Sequence, residues 1–123
     1  MIRFVAIAAA LVLTAAVPPS ENAACPVAGN YRVAGTNTGG TTYEGTATIE
    51  DRDGECLIRW SQPSEAEGRG TYANGRLKVR YRPLAGGEGG EATYTRQHDG
   101  KLRGTWSLFG EGGGGGTETL TPK

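Results

Sequence analysis

The chain has 123 residues, and its 13 lysines and arginines balance 13 aspartates and glutamates. This is the length of one domain, and the balanced charge attracts neither nucleic acid nor an anionic membrane. Its 21 glycines disfavour helices, and a single histidine excludes sites built on several histidines.

Residues 1–24 are predicted to be a secretory signal peptide that precedes a single domain at residues 25–123. Arg3 comes before an unbroken apolar run, Phe4 to Val17, which suits a signal peptide better than a membrane span. Small residues at 23 and 24 allow cleavage before Cys25, which predicts a periplasmic or secreted protein. A second interpretation is an outer-membrane lipoprotein, because Ala23-Ala24-Cys25 is half of a lipobox.

The two cysteines, Cys25 and Cys56, both belong to the predicted domain. Disulfides persist in exported proteins, and pairing these two would close a loop of roughly 30 residues. In the chain-entropy model such a bridge contributes on the order of 3 to 4 kcal/mol, which would help a domain with so small a core.

Eight short segments of alternating apolar and polar residues follow, and none has a helical period. An even number of consecutive strands joined by short turns predicts an all-β protein, an eight-stranded antiparallel up-and-down β-barrel (a closed meander). Closure leaves no sheet edge exposed. The predicted strands cover residues 29–34, 42–50, 55–61, 67–73, 76–82, 91–97, 101–108 and 117–121.

Turn residues predict the strand registers at one end of this barrel. Asn74-Gly75 is typical of a two-residue type I′ turn and would place Tyr72 opposite Leu77. The turn after the second strand is predicted to place Ile49 opposite Cys56. Both registers keep apolar side chains on one face of the sheet.

A three-residue loop is predicted at residues 98–100, with Gly100 in the left-handed conformation. It would place Tyr94 opposite Gly104, whereas a two-residue loop would turn Trp106 away from the apolar face. Large inward rings then alternate with inward glycines such as Gly45, which make room for the rings. These glycines allow the rings to pack and do not form a phosphate-binding loop.

The predicted barrel has two different ends. Tight turns lie at one end, and four longer connections, residues 35–41, 62–66, 83–90 and 109–116, lie at the other. The last of these contains the glycine run 112–116. Because ligands usually bind where loops surround a barrel mouth, we expect the ligand site there. The inward side chains predicted to bind a ligand are Tyr43, Trp60, Tyr81, Leu108 and Glu118.

Glu118 is predicted to point inward, opposite Leu108. A buried carboxylate is costly without partners. Two roles remain open for it: structural hydrogen bonds to a barrel tyrosine or to loop amides, or a polar anchor for a ligand.

A stripe of basic residues is predicted on the outer face of the fourth and fifth strands. It could bind an acidic polysaccharide or an acidic protein, and the alternative is an ordinary solvated face. The basic stripe consists of Arg69, Arg76, Lys78, Arg80 and Arg82.

The sequence predicts no catalytic residue, no cofactor and no metal site, and hence no enzyme. His98 lies in a tight turn away from the loops, so it cannot complete a Ser-His-Asp arrangement. Asp51, Asp53 and Glu55 share one turn, but they lack the twelve-residue pattern of a calcium loop.

Several motifs spread over the domain carry a family resemblance. They are Gly29-Asn30-Tyr31-Arg32-Val33, Gly35-Thr36-Asn37, Tyr43-x-Gly45-Thr46-Ala47, Cys56-x-Ile58-x-Trp60, Asp99-Gly100-x-Leu102-x-Gly104-Thr105-Trp106 and Gly116-Thr117-Glu118-Thr119-Leu120-Thr121-Pro122. With them the chain resembles small exported bacterial proteins known as fibronectin-binding proteins, which implies binding to a host matrix protein. It departs from them at Tyr72, where members often carry a cysteine.

The predicted architecture is also similar to that of avidins and lipocalins, and Gly29-Asn30-Tyr31 resembles the Gly-x-Trp start of lipocalins. This likeness concerns the fold and implies no particular ligand.

The sequence as a whole predicts an exported, non-catalytic β-barrel binding protein with its ligand site at the long-loop end. One alternative is a surface adhesion protein that binds a host matrix protein such as fibronectin. Another is a secreted inhibitor of a protease or lysozyme. The expected partner is a small ligand or an extracellular protein.

Overall fold

The computed structural model describes residues 25–62, 64–110 and 113–123, so the predicted signal peptide lies outside the described residues. The chain forms one closed antiparallel barrel of eight strands, each paired with its neighbours in sequence, and the last strand pairs with the first. The strands are β1 (Gly29–Thr36), β2 (Thr42–Arg52), β3 (Glu55–Gln62), β4 (Ala66–Ala73), β5 (Arg76–Pro83), β6 (Gly90–Arg96), β7 (Leu102–Leu108) and β8 (Gly115–Pro122).

This architecture confirms the predicted all-β, up-and-down barrel. In the described parts of the chain, no helix is long and apolar enough to pass through a bilayer.

Two of the three registers predicted from tight turns are confirmed. Tyr72 lies opposite Leu77, across a turn in which Asn74 and Gly75 have φ values of 54° and 79°, the positive values that a type I′ turn requires. Beyond the next tight connection, β6 pairs with β7 in the register expected from a three-residue loop, and Gly100 has a φ of 88°.

The third register, between β2 and β3, was predicted wrongly by two residues. Ile49 lies opposite Ile58, and Cys56 lies opposite Asp51. The turn is Asp53-Gly54, with φ values of 52° and 88°, so β2 continues to Arg52. Because side chains alternate with a period of two, this shift leaves every side chain on its predicted face.

The start of β8 also differs from the prediction, because Gly115 and Gly116 belong to the strand and not to the preceding loop. Gly116 lies opposite Trp106, whose indole Nε1 donates to the carbonyl oxygen of Thr36 on β1 at 3.1 Å. A Cβ at position 116 would overlap that carbonyl oxygen. Glycine therefore lets β8 pass close to β1 where the tryptophan joins β7 to β1.

The tight-turn end of the barrel is closed by the segment before β1. A disulfide joins Cys25 to Cys56 with a Cα–Cα distance of 5.2 Å, as predicted. The Cys25 backbone N donates to Asp51 Oδ2 at 3.2 Å, and the Tyr31 hydroxyl donates to the carbonyl oxygen of Val27. Cys25 and Val27 are both buried.

Above this segment lies an apolar core. It includes aliphatic side chains from five strands, each no more than 2% exposed: Ile49, Ile58, Leu77, Leu102 and Leu120. Burial of each such side chain contributes about 1.5 to 3 kcal/mol. The lower half of the barrel therefore carries the packing that stabilises the fold.

Removal of the disulfide should destabilise the protein without changing its topology. We expect Cys25→Ala/Cys56→Ala to lower the free energy of unfolding by about 3 to 4 kcal/mol, because a crosslink over 31 residues restricts the unfolded chain. Urea denaturation followed by tryptophan fluorescence would measure this. Reduction of the wild-type protein should give the same loss, and an unchanged midpoint after reduction would contradict the prediction.

Candidate functional site

A cavity of about 230 Å³ lies above the apolar core and opens at the long-loop end. Its mouth includes Asn37, Ser64 and Glu88, each from a different long connection. The five side chains predicted at the ligand site all line this cavity, namely Tyr43, Trp60, Tyr81, Leu108 and Glu118.

Glu118 lies deeper in the barrel than the sequence predicted. It is opposite Gly104 of β7 and Gly35 of β1, and not opposite Leu108. A Cβ at Gly35 would lie 2.5 Å from the ring and hydroxyl of Tyr43, so glycine there makes room for the tyrosine beside the carboxylate. The earlier start of β8 is what moves Glu118 down to this level.

Three side chains from three other strands donate hydrogen bonds to the Glu118 carboxylate. The Tyr43 hydroxyl donates to Oε1 at 2.6 Å, while the Tyr94 hydroxyl and Trp60 Nε1 donate to Oε2 at 2.6 and 3.0 Å. Glu118 is only 6% exposed. Hydrogen bonds to an ionised acceptor are stronger than neutral ones, so the cluster compensates for burial of the carboxylate.

Of the two roles left open for Glu118, hydrogen bonding to barrel tyrosines is therefore observed. The role of ligand anchor stays a prediction, and the carboxylate lies on the cavity wall where that role requires it.

The phenols around Glu118 are held in their protonated form. Burial, and then the Glu118 charge, raise the pKa of Tyr94 above its usual range. The same causes in the same order raise the pKa of Tyr81 to about 12. For Tyr43, burial and the hydrogen bond to Glu118 raise the pKa. These hydroxyl protons are therefore present throughout the neutral pH range.

Two further aromatic side chains have their polar atoms satisfied by backbone carbonyls. The Tyr81 hydroxyl donates to Ser107 at 3.4 Å, and Trp106 Nε1 donates to Thr36. Trp60 and Tyr81 meet edge to face, with ring centroids 5.9 Å apart. Such contacts hold the rings against the barrel wall and keep the space between them open.

Tyr94 and Trp106 also line the cavity; the sequence pattern predicts that both face inward but does not predict that they belong to the site. Their alternation with neighbouring residues was clear, whereas their height relative to Glu118 depended on the β8 register. Gln62 is a third residue of the cavity wall that the sequence did not assign to the site. It lies beyond a β-bulge, because Ala47 pairs with Trp60 whereas Thr46 pairs with Gln62. Bulges redirect side chains, and no sequence signal marked this one.

The basic stripe lies on the outer face, away from the cavity. Two of its members form ion pairs with carboxylates on neighbouring strands, Arg69 with Glu55 at 3.3 Å and Arg82 with Glu67 at 3.0 Å. These side chains are largely exposed, and the stripe is partly compensated by acidic neighbours.

No protein-family model, curated protein or solved structure matches this chain. The shape and chemistry of the cavity are therefore the basis on which a function can be proposed.

Glu118→Gln should destabilise the barrel by about 1 to 3 kcal/mol. The amide loses the charge of the acceptor and turns an NH₂ group toward side chains that are themselves donors. Urea denaturation would measure the change. Glu91→Gln, an exposed change on β6, is the matched control and should stay within about 0.5 kcal/mol of wild type. Equal stability of the two variants would show that the cluster contributes nothing.

Stability should fall as the pH rises above 10, the ordinary pKa of tyrosine. The unfolded chain then loses phenolic protons that the folded barrel retains, so deprotonation favours unfolding. For Tyr81 the loss continues until the pH passes about 12. Denaturant titrations combined with phenolate absorbance would follow it, and Tyr81→Phe should remove part of the slope. Complete phenolate formation at pH 10 in the native protein would refute the prediction.

Proposed function

We propose that this protein is an exported, non-catalytic binding protein that holds a small ligand in the cavity at the long-loop end of its barrel. The observation that carries the proposal is the contrast between the two ends. One end is sealed by a disulfide-linked segment, and the other holds an aromatic-walled cavity of about 230 Å³ with a buried carboxylate.

The cavity has the features of a small-molecule site. Such sites are concave and mostly apolar, with a few fixed polar groups that orient the ligand. Here tyrosine and tryptophan rings form the walls, and the Glu118 cluster supplies polar atoms whose positions are set by hydrogen bonds from three strands. Fixed polar groups lower the ordering cost of binding.

The disulfide supports export with ordinary cleavage over the lipoprotein interpretation. Disulfides persist in oxidising compartments such as the periplasm. A lipid on Cys25 would need the same Sγ atom that is bonded to Cys56. A periplasmic or secreted location therefore agrees best with the covalent structure.

Binding agrees better with the site than catalysis does. The Glu118 carboxylate accepts three hydrogen bonds, and this holds it as a fixed acceptor and leaves it poorly suited to exchange protons with a substrate. Adhesion through the basic stripe has less support than the cavity, because Arg69 and Arg82 are already paired with acidic residues.

Blocking the mouth of the cavity should abolish binding. We expect Ala66→Phe, at the start of β4 on the cavity wall, to weaken binding of small aromatic compounds more than tenfold, because the added ring occupies their space. A panel of aromatic amines, alcohols and carboxylic acids would be titrated, with tryptophan fluorescence and amide chemical shifts as readouts.

Ala73→Phe is the matched control, because it lies at the other end of β4 and is exposed. It should bind like wild type. The proposal fails if no compound of the panel binds at millimolar concentration, or if the Ala66→Phe variant binds them all as tightly as wild type does.

A further inference from the structure

The hydrogen-bond donors of the cavity's aromatic side chains are all used within the protein. Tyr43, Tyr94 and Trp60 donate to Glu118. Tyr81 and Trp106 donate to backbone carbonyls of other residues. Each tyrosine hydroxyl has one proton and each indole has one N–H, so Tyr43, Tyr94 and the two tryptophans have no donor left for a ligand. The Tyr81 hydroxyl is held by a longer bond of 3.4 Å.

The same side chains retain acceptors. A phenolic oxygen that donates its proton keeps lone pairs, and the partly exposed Tyr43 lines the cavity. An ionised carboxylate offers about four lone-pair sites. Oε2 of Glu118 accepts two hydrogen bonds, whereas Oε1 accepts only one, from Tyr43. Oε1 therefore keeps one acceptor position on a side chain that lines the cavity.

The cavity carries carboxylates both near its floor and at its mouth. Glu118 lies in its wall near the floor and Glu88 lies at its mouth, while the described residues that line it include no lysine, arginine or histidine. Five aromatic rings surround the space between the two carboxylates, and their π faces attract cations. An anion here would lose its hydration and meet a carboxylate, which is unfavourable.

We propose that the cavity binds an organic ammonium ion, a small amine whose N–H groups donate to Glu118 Oε1 and to the Tyr43 oxygen while its apolar body lies among the rings. This inference rests on the proposed function and specifies its ligand class. A cavity of about 230 Å³ suits a small amine with a single ring.

Three compounds of nearly one shape but different charge test this directly: 2-phenylethylammonium, 2-phenylethanol and phenylacetate. Isothermal titration at neutral pH would give each dissociation constant. We expect the ammonium ion to bind about tenfold or more tightly than the alcohol, from a cation–π contact and a charge-assisted hydrogen bond. Phenylacetate should bind more weakly than the alcohol.

Two variants test which residues cause the preference for the ammonium ion over the alcohol. Glu118→Gln should reduce the ratio between ammonium and alcohol to near one while leaving alcohol binding within a few-fold. Because Glu118→Gln also weakens the barrel, Glu88→Gln serves as a second variant at an exposed position. It should lower ammonium binding by a few-fold, with a weaker salt dependence. Glu91→Gln on the outer face should change nothing.

The outcomes separate this inference from the broader proposal. Binding of the alcohol or of phenylacetate as tight as that of the ammonium ion, and lost in Ala66→Phe, would overturn the cation preference and leave the cavity as a ligand site. Failure of all three compounds to bind would overturn the cation inference. Ammonium binding that persists in Ala66→Phe would refute both, since the site would then lie elsewhere.

Discussion

The buried carboxylate of Glu118 is the constraint on which the upper half of the barrel depends. A charge at 6% exposure needs several donors, and the chain supplies them from β2, β3 and β6. Satisfying that one side chain fixes two tyrosines and a tryptophan in position. Rings held in this way cannot collapse into the centre of the barrel, and the cavity between them stays open.

The stabilising core and the proposed ligand site are therefore separated along the barrel axis. The lower half contains the disulfide, the segment before β1 and buried aliphatic side chains, as a small domain requires for a sufficient core. The upper half uses aromatic side chains as walls, and the long connections surround its mouth. Loops that surround a site on a packed scaffold are a common arrangement for binding proteins.

Much of this fold follows from local sequence rules, and the exceptions have clear causes. Asn74-Gly75 specified its turn because both positions tolerate positive φ. Asp53-Gly54 carried the same signal, but a register with Ile49 opposite Cys56 also keeps apolar side chains on one face, and the register was predicted two residues out. The glycine run looked like a loop, yet Gly115 and Gly116 are strand residues, and the absence of a Cβ lets β8 lie close to the backbones of β7 and β1.

The sequence by itself determined the fold class, the side chains that face inward and the end at which the cavity opens, because alternation and turn chemistry are local properties of the chain. Only the tertiary structure decided how deep Glu118 lies in the barrel, which side chains donate to it (Tyr43, Trp60 and Tyr94), and the cavity above them. These depend on the register between β7 and β8 and on the closure of β8 onto β1. Contacts between residues 24 to 75 positions apart in the chain leave no local pattern from which they could be read.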